Sequence, residues 1–117
     1  KHKEIEATFA KAHIASYEQQ LGSSNFNKEL YGNGPVTRPG VKYTIIEGRY
    51  DDTVVPFTNA FLHEPGVKNI LVQDTCRNDH ASHVNFTYDV NVYQMAVNAL
   101  DPDHAQPVTC VPQPFIG

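Results

Sequence analysis

Only two segments of this sequence read as strands buried on at least one face, and that number limits what the chain can fold into. Segment 41–47, Val-Lys-Tyr-Thr-Ile-Ile-Glu, is rich in β-branched and aromatic residues and lies between Gly40 and Gly48. Segment 68–74, Lys-Asn-Ile-Leu-Val-Gln-Asp, is the second strand and follows a turn over 63–66. Between them, Pro56 bars 54–62 from being a central strand, because proline cannot donate to a ladder. Parallel strands joined by a crossover need both faces covered and further strands beside them. With 117 residues and 13.1 kDa the chain has room for one ordinary domain. The order helix, long loop, strand, polar loop, strand, polar loop, helix is a piece of an α/β pattern, incomplete by itself.

The helical segments flank this pair. Residues 1–20 predict a helix, with Ile5, Phe9, Ala12, Ser16 and Tyr17 on a thin apolar stripe. Ala and Ser stand where a core helix carries Leu, which suits a helix that covers a neighbour. Residues 21–40 are loop-rich, through Gly-Ser-Ser, Tyr31-Gly-Asn-Gly-Pro and Arg38-Pro-Gly, and allow a short helical turn over 26–31. Asp89 is placed to cap a helix over 90–100, whose stripe is Val92, Met95, Ala96, Ala99 and Leu100. Asp101-Pro102 stops that helix, and Pro107, Pro112 and Pro114 make the remaining tail extended.

Composition excludes several classes. Hydrophobic residues at 40% and charged residues at 19% do not fit a disordered acidic or basic tail. A net charge of −4 with nine basic residues scattered along the chain gives no patch for a phosphate backbone, so nucleic acid is not an expected partner. No apolar run approaches the roughly 18 residues that span a bilayer. The stretch from Lys1 shows no charged and then apolar leader, so no signal peptide is expected within it.

The chemistry-bearing residues gather after the two strands. One loop runs Glu47-Gly-Arg-Tyr-Asp51-Asp52-Thr-Val-Val-Pro56, and the other runs Asp74-Thr-Cys76-Arg-Asn-Asp79-His80-Ala-Ser-His83. Open α/β sheets place functional groups at these carboxyl ends. An acid after one strand and a histidine after the next follows the Ser…Asp…His chain order of α/β-hydrolases. In that chemistry histidine takes the nucleophile's proton, while the carboxylate fixes the imidazole tautomer and stabilises the imidazolium. The plainer reading is that Asp51 and Asp52 cap a turn and His80 and His83 are solvated, in a non-catalytic α/β binding domain. A third reading is a zinc site at Asp79, His80 and His83, since His-x-x-His can bring two rings to one helix face. Ser16, Ser23, Ser24 and Ser82 are the serines, and none lies in a G-x-S-x-G elbow. Asn85-Phe-Thr87 is a glycosylation sequon two residues past His83, read as a chance occurrence. Cys76 and Cys110 are either two buried thiols or one bridge, and a bridge implies export to an oxidising compartment.

Five blocks occur in order: Gly40-Val-Lys-Tyr-Thr-Ile-Ile, Tyr50-Asp-Asp-Thr-Val-Val-Pro56, Gln73-Asp-Thr-Cys76, His83, and Asn98-Ala-Leu-Asp-Pro102. With the ending Gln106-Pro-Val-Thr-Cys110, they resemble the C-terminal part of secreted bacterial triacylglycerol lipases of the actinobacterial, class 2 type, which are α/β-hydrolases. The resemblance runs from about Gln20 to Cys110. It implies that Asp51 is the triad acid, with Asp52 at a variable position, and that His83 is the triad histidine, with His80 in Asp79-His80-Ala81 as its competitor. It also implies that Cys76 and Cys110 form a disulfide, that the protein is secreted, that no cofactor is required, and that the substrate is an ester or acylglycerol. Residues 1–40 become a lid-like helical insertion and loop, and 41–117 the segment carrying Asp and His. The family's G-H-S-x-G elbow and its oxyanion donors are not in these residues, so the nucleophile must come from an N-terminal hydrolase portion outside them.

Overall fold

A computed structural model describes Glu4, Thr8, Ala12, residues 14–32 and residues 34–117. The chain divides into two compact units, Lys1–Pro39 and Gly40–Gly117.

In the first unit, Glu4, Thr8 and Ala12 are helical, while Ile5 and Phe9 of the expected stripe lie outside the described residues. The helix expected over 1–20 is broken at Ile14, whose backbone is extended, and α1 spans Ala15–Gln20. α2 spans Asn25–Tyr31, where a helical turn was expected, and Ser24 caps it by accepting from Asn27 N at 3.1 Å. Neither helix buries a residue.

The second unit holds the sheet, a mixed α/β arrangement. β1 (Tyr43–Glu47) and β2 (Val67–Leu71) pair in parallel, with Tyr43 opposite Val67 and Glu47 opposite Leu71. β1 begins two residues later than its composition suggests, because β2 offers no partner to Val41 and Lys42. β2 ends three residues early for a different reason. Val72–Thr75 winds into one helical turn, α3, closed by Cys76 N donating to Val72 O at 2.8 Å. That turn sends Val72 and Gln73 inward rather than along a ladder.

α4 spans Val90–Leu100 and packs on β1. Asp89 caps it, its Oδ1 accepting from Asn91 N at 2.7 Å and Val92 N at 3.4 Å. Met95 joins Val72 and Cys76 in the core, with Ile46, Ile70, Phe86, Val92 and Val108 packed around them. The far end of the expected stripe is not buried: Leu100 is 87% exposed and Ala99 is exposed. The inward position one turn before Met95 belongs to Asn91, which is held by hydrogen bonds.

Those bonds dock the tail. Asn91 Nδ2 donates to Asp79 Oδ2 at 2.8 Å and to Val111 O at 2.7 Å, and its Oδ1 accepts from Val111 N at 2.9 Å. Asn85 Nδ2 donates to Pro114 O at 2.9 Å, and the Ser82 hydroxyl lies against Ile116 O. His80 N donates to Gln113 O at 3.0 Å. The Cys76–Cys110 disulfide fastens the same segment, and closing a 34-residue loop contributes about 3–4 kcal/mol by the chain-entropy account. Asn85 is 1% exposed with both amide atoms engaged, so its sequon cannot carry a glycan in this fold.

Asp79 and Asp89 are both buried, and their carboxyls face each other. Burial first, and then the Asp79 carboxyl, push Asp89 up to about 6, against the opposing pull of the α4 amides. A raised carboxyl contributes stability that is full below its unfolded value and lost as pH climbs through the folded one. Asp89 Oδ2 is the buried polar atom left without a hydrogen bond among the described residues. Asp89→Asn keeps the cap and turns an amide donor toward Asp79. The expected gain is roughly 1–3 kcal/mol at about pH 8 and little at about pH 4, read by urea unfolding at both. Equal gains at the two pH values, or a loss at the higher one, would contradict this origin of the strain.

Candidate active site

The two loops that follow β1 and β2 are tied together before any side chain reaches across. Gln73, buried in α3, accepts from Arg49 N through Oε1 at 2.8 Å and donates from Nε2 to Asp79 O at 2.9 Å. One amide thus bridges the first loop to the second. Gly48 lets Phe86 of the second segment come close, since a Cβ at that position would lie 2.9 Å from Phe86 Cε2. The Asp52 carboxylate adds a third tie, accepting from His83 N at 3.2 Å.

On this frame Asp51 and His83 meet. His83 Nδ1 lies 2.7 Å from Asp51 Oδ2. Asp51 Oδ1 accepts from Thr53 N at 2.7 Å and Val54 N at 2.6 Å, so the turn after β1 fixes the carboxylate's orientation. The Asp51 side chain is 6% exposed and that of His83 is 47% exposed. One end of the pair is therefore dry and the other open. Burial alone would push Asp51 upward, but the hydrogen bonds from His83, Val54 N and Thr53 N, with the His83 charge, outweigh it and hold the carboxyl below the usual range. With Nδ1 given to Asp51, Nε2 is the ring nitrogen left to exchange a proton.

His80 takes a different place. Its ring packs edge-on against Tyr50 with centroids 4.5 Å apart, and its backbone N–H is used by the tail. Asp79 is 1% exposed and engaged with Ala81 N and Asn91. The zinc reading at Asp79, His80 and His83 is accordingly corrected: among the described residues no group of three or more His, Cys, Asp or Glu side chains could hold a metal ion. The three side chains point to three separate sets of partners.

Ser82 adjoins His83 in sequence, yet it is 1% exposed and its hydroxyl lies against Asn85 Oδ1 and Ile116 O. It is a structural hydroxyl. Ser24 is used as the cap of α2. The arrangement thus offers an oriented acid and a half-open base, with a proton to move and no serine of this unit placed to give one up.

Two features escaped the sequence. Glu47 ends β1 buried, and Asp79 and Asp89 form a buried carboxyl pair. The visible signal for Glu47 is an acid on an otherwise apolar strand, four residues before Asp51. For the second pair there is none, because nine residues separate the two acids in the sequence and only the fold turns their carboxyls toward each other.

Among known proteins, no family model and no curated protein matches this sequence. No helix among the described residues is long and apolar enough to cross a membrane.

Proposed function

We propose that this chain supplies the acid and the base of a secreted serine ester hydrolase of the triacylglycerol lipase kind, within an α/β-hydrolase domain. The observation that carries the reading is the 2.7 Å contact between His83 Nδ1 and an Asp51 carboxylate that two backbone amides hold in place. Solvated residues in neighbouring loops have no reason to share a dry carboxylate in that geometry. In the proposed reaction His83 Nε2 takes the proton of a serine hydroxyl as its oxygen attacks the acyl carbon. The same proton then goes to the departing alkoxide, leaving an acyl-enzyme. Water repeats the sequence, giving its proton to His83 and its hydroxide to the acyl carbon, and the serine is restored.

The serine and the oxyanion donors lie on the hydrolase portion that precedes these residues in the proposed enzyme. The two-stranded sheet fits this division, since parallel sheets ordinarily carry further strands and have both faces covered. α1 and α2, which bury nothing and expose Tyr17, Phe26, Leu30 and Tyr31, suit a lid-like insertion over an acyl pocket. The disulfide suits an extracellular site of action.

A nitrophenyl butyrate assay tests the reading. The protein containing both portions is expected to hydrolyse the ester, and this chain alone is expected to give no more than the buffer rate. Enzyme-level hydrolysis by the chain alone, or none by the complete protein, would overturn it.

A further inference from the structure

Glu47 sits where a strand residue should be apolar. It is 7% exposed at the last position of β1, opposite Leu71, and one of its oxygens accepts from Gly48 N at 2.8 Å. The carboxyl also lies within hydrogen-bonding range of the Asp51 carboxyl. Two carboxyls can share such a contact only if one of them carries a proton. Asp51 has its two oxygens committed to His83 Nδ1 and to the Thr53 and Val54 amides, all of which are donors. With the Asp51 oxygens committed as acceptors, Glu47 is the member of the pair placed to donate.

We propose that Glu47 is a positioning residue that donates a hydrogen bond to Asp51 and so holds the carboxylate against His83. Burial, then the Asp51 carboxyl, drive Glu47 upward, while Gly48 N and the His83 charge draw it back, and the balance is a raised carboxyl. The groups facing Glu47 are Asp51 from its own loop and His83 from the second loop. Once Glu47 loses its proton the two carboxylates repel, and the Asp51–His83 geometry loosens as pH rises through that point.

The role rests on the hydrolase reading, but its test does not. In the full isotope-labelled chain, the His83 Nδ1–H proton resonance reports the bond to Asp51 without substrate or serine, and Asp51→Asn marks its loss. Glu47→Ala is expected to shift that resonance toward the Asp51→Asn position. Glu47→Gln is expected to keep it, because the amide N–H replaces the donor. In the native chain the resonance should also move as Glu47 titrates above the ordinary glutamate range, a step that Glu47→Gln lacks. If Glu47→Ala does not fold, the Glu47 carboxyl carbon is titrated in the native chain instead. A native-like resonance in both variants would overturn the proposal. So would equal disturbance by both, or an ordinary Glu47 titration without response at His83. Failure of the ester assay with these shifts intact would remove the hydrolase reading and leave this coupling standing.

Discussion

Replacing His83 by alanine is expected to lower kcat of the complete enzyme by roughly 10³-fold or more, while His80→Ala changes it by only a few-fold. The two rings are three residues apart, so the contrast isolates their surroundings. His83 is bonded through Nδ1 to a buried carboxylate, which leaves Nε2 unused by that bond, whereas His80 is packed on Tyr50. In the proposed reaction, losing His83 removes the base for acylation and the acid for the leaving alcohol together, so kcat is expected to fall with KM little changed. His80→Ala gives up only a ring contact, and the backbone bond to Gln113 O survives the change. Steady-state kinetics on both variants decides the matter, and the reverse ordering would show that the wrong histidine has been assigned.

Asp51→Asn should be nearly as damaging, with a loss of roughly 10³-fold or more, against a few-fold for Asp52→Asn. The asparagine can still accept from Thr53 N and Val54 N, so the turn keeps its shape. Its NH₂ group then faces His83 Nδ1 and forces that nitrogen to accept. The proton moves to Nε2, where it blocks the very atom that must take one from serine. Asp52 contributes a single 3.2 Å acceptor to His83 N, and asparagine supplies the same acceptor. Equal losses in the two variants would undo the assignment of Asp51. Because Asp51 is held below the usual range, the stability it contributes is present above the unfolded value and lost as pH falls through the folded one. The native protein should therefore loosen at acid pH more than Asp51→Asn does, which urea unfolding can follow.

How much of this was legible in the residues depends on the range of the interactions. The strand centres and the 90–100 helix with its Asp89 cap were readable because β-branched runs and cap chemistry are local. The end of β2 was not, because Val-Gln-Asp at 72–74 continues a strand by composition. Only the long-range bridge from Gln73 to Arg49 N and Asp79 O favours a helical turn there. The same limit applies to Leu100, which belongs to the apolar stripe by periodicity but lies past the part of α4 that faces the sheet. At the candidate site, the residue types and their chain order offered Asp51 and Asp52 with His80 and His83, and only the resemblance singled out Asp51 and His83. Which ring meets a carboxylate needed the fold, since Asp51 and His83 lie 32 positions apart in the chain and the loop between them must close first. Glu47 was hidden because a lone acid at a strand end reads as a solvated terminus until its burial is known.

In the proposed hydrolase, Asp51 and His83 activate a serine that lies outside these residues. Fluorophosphonate labelling of the complete protein, read by intact mass and peptide mapping under denaturing, reducing conditions, tests it most directly. The expected result is a single label on a serine outside these 117 residues, slowed strongly by His83→Ala. A label on Ser16, Ser23, Ser24 or Ser82, or no label on a folded complete protein, would contradict it.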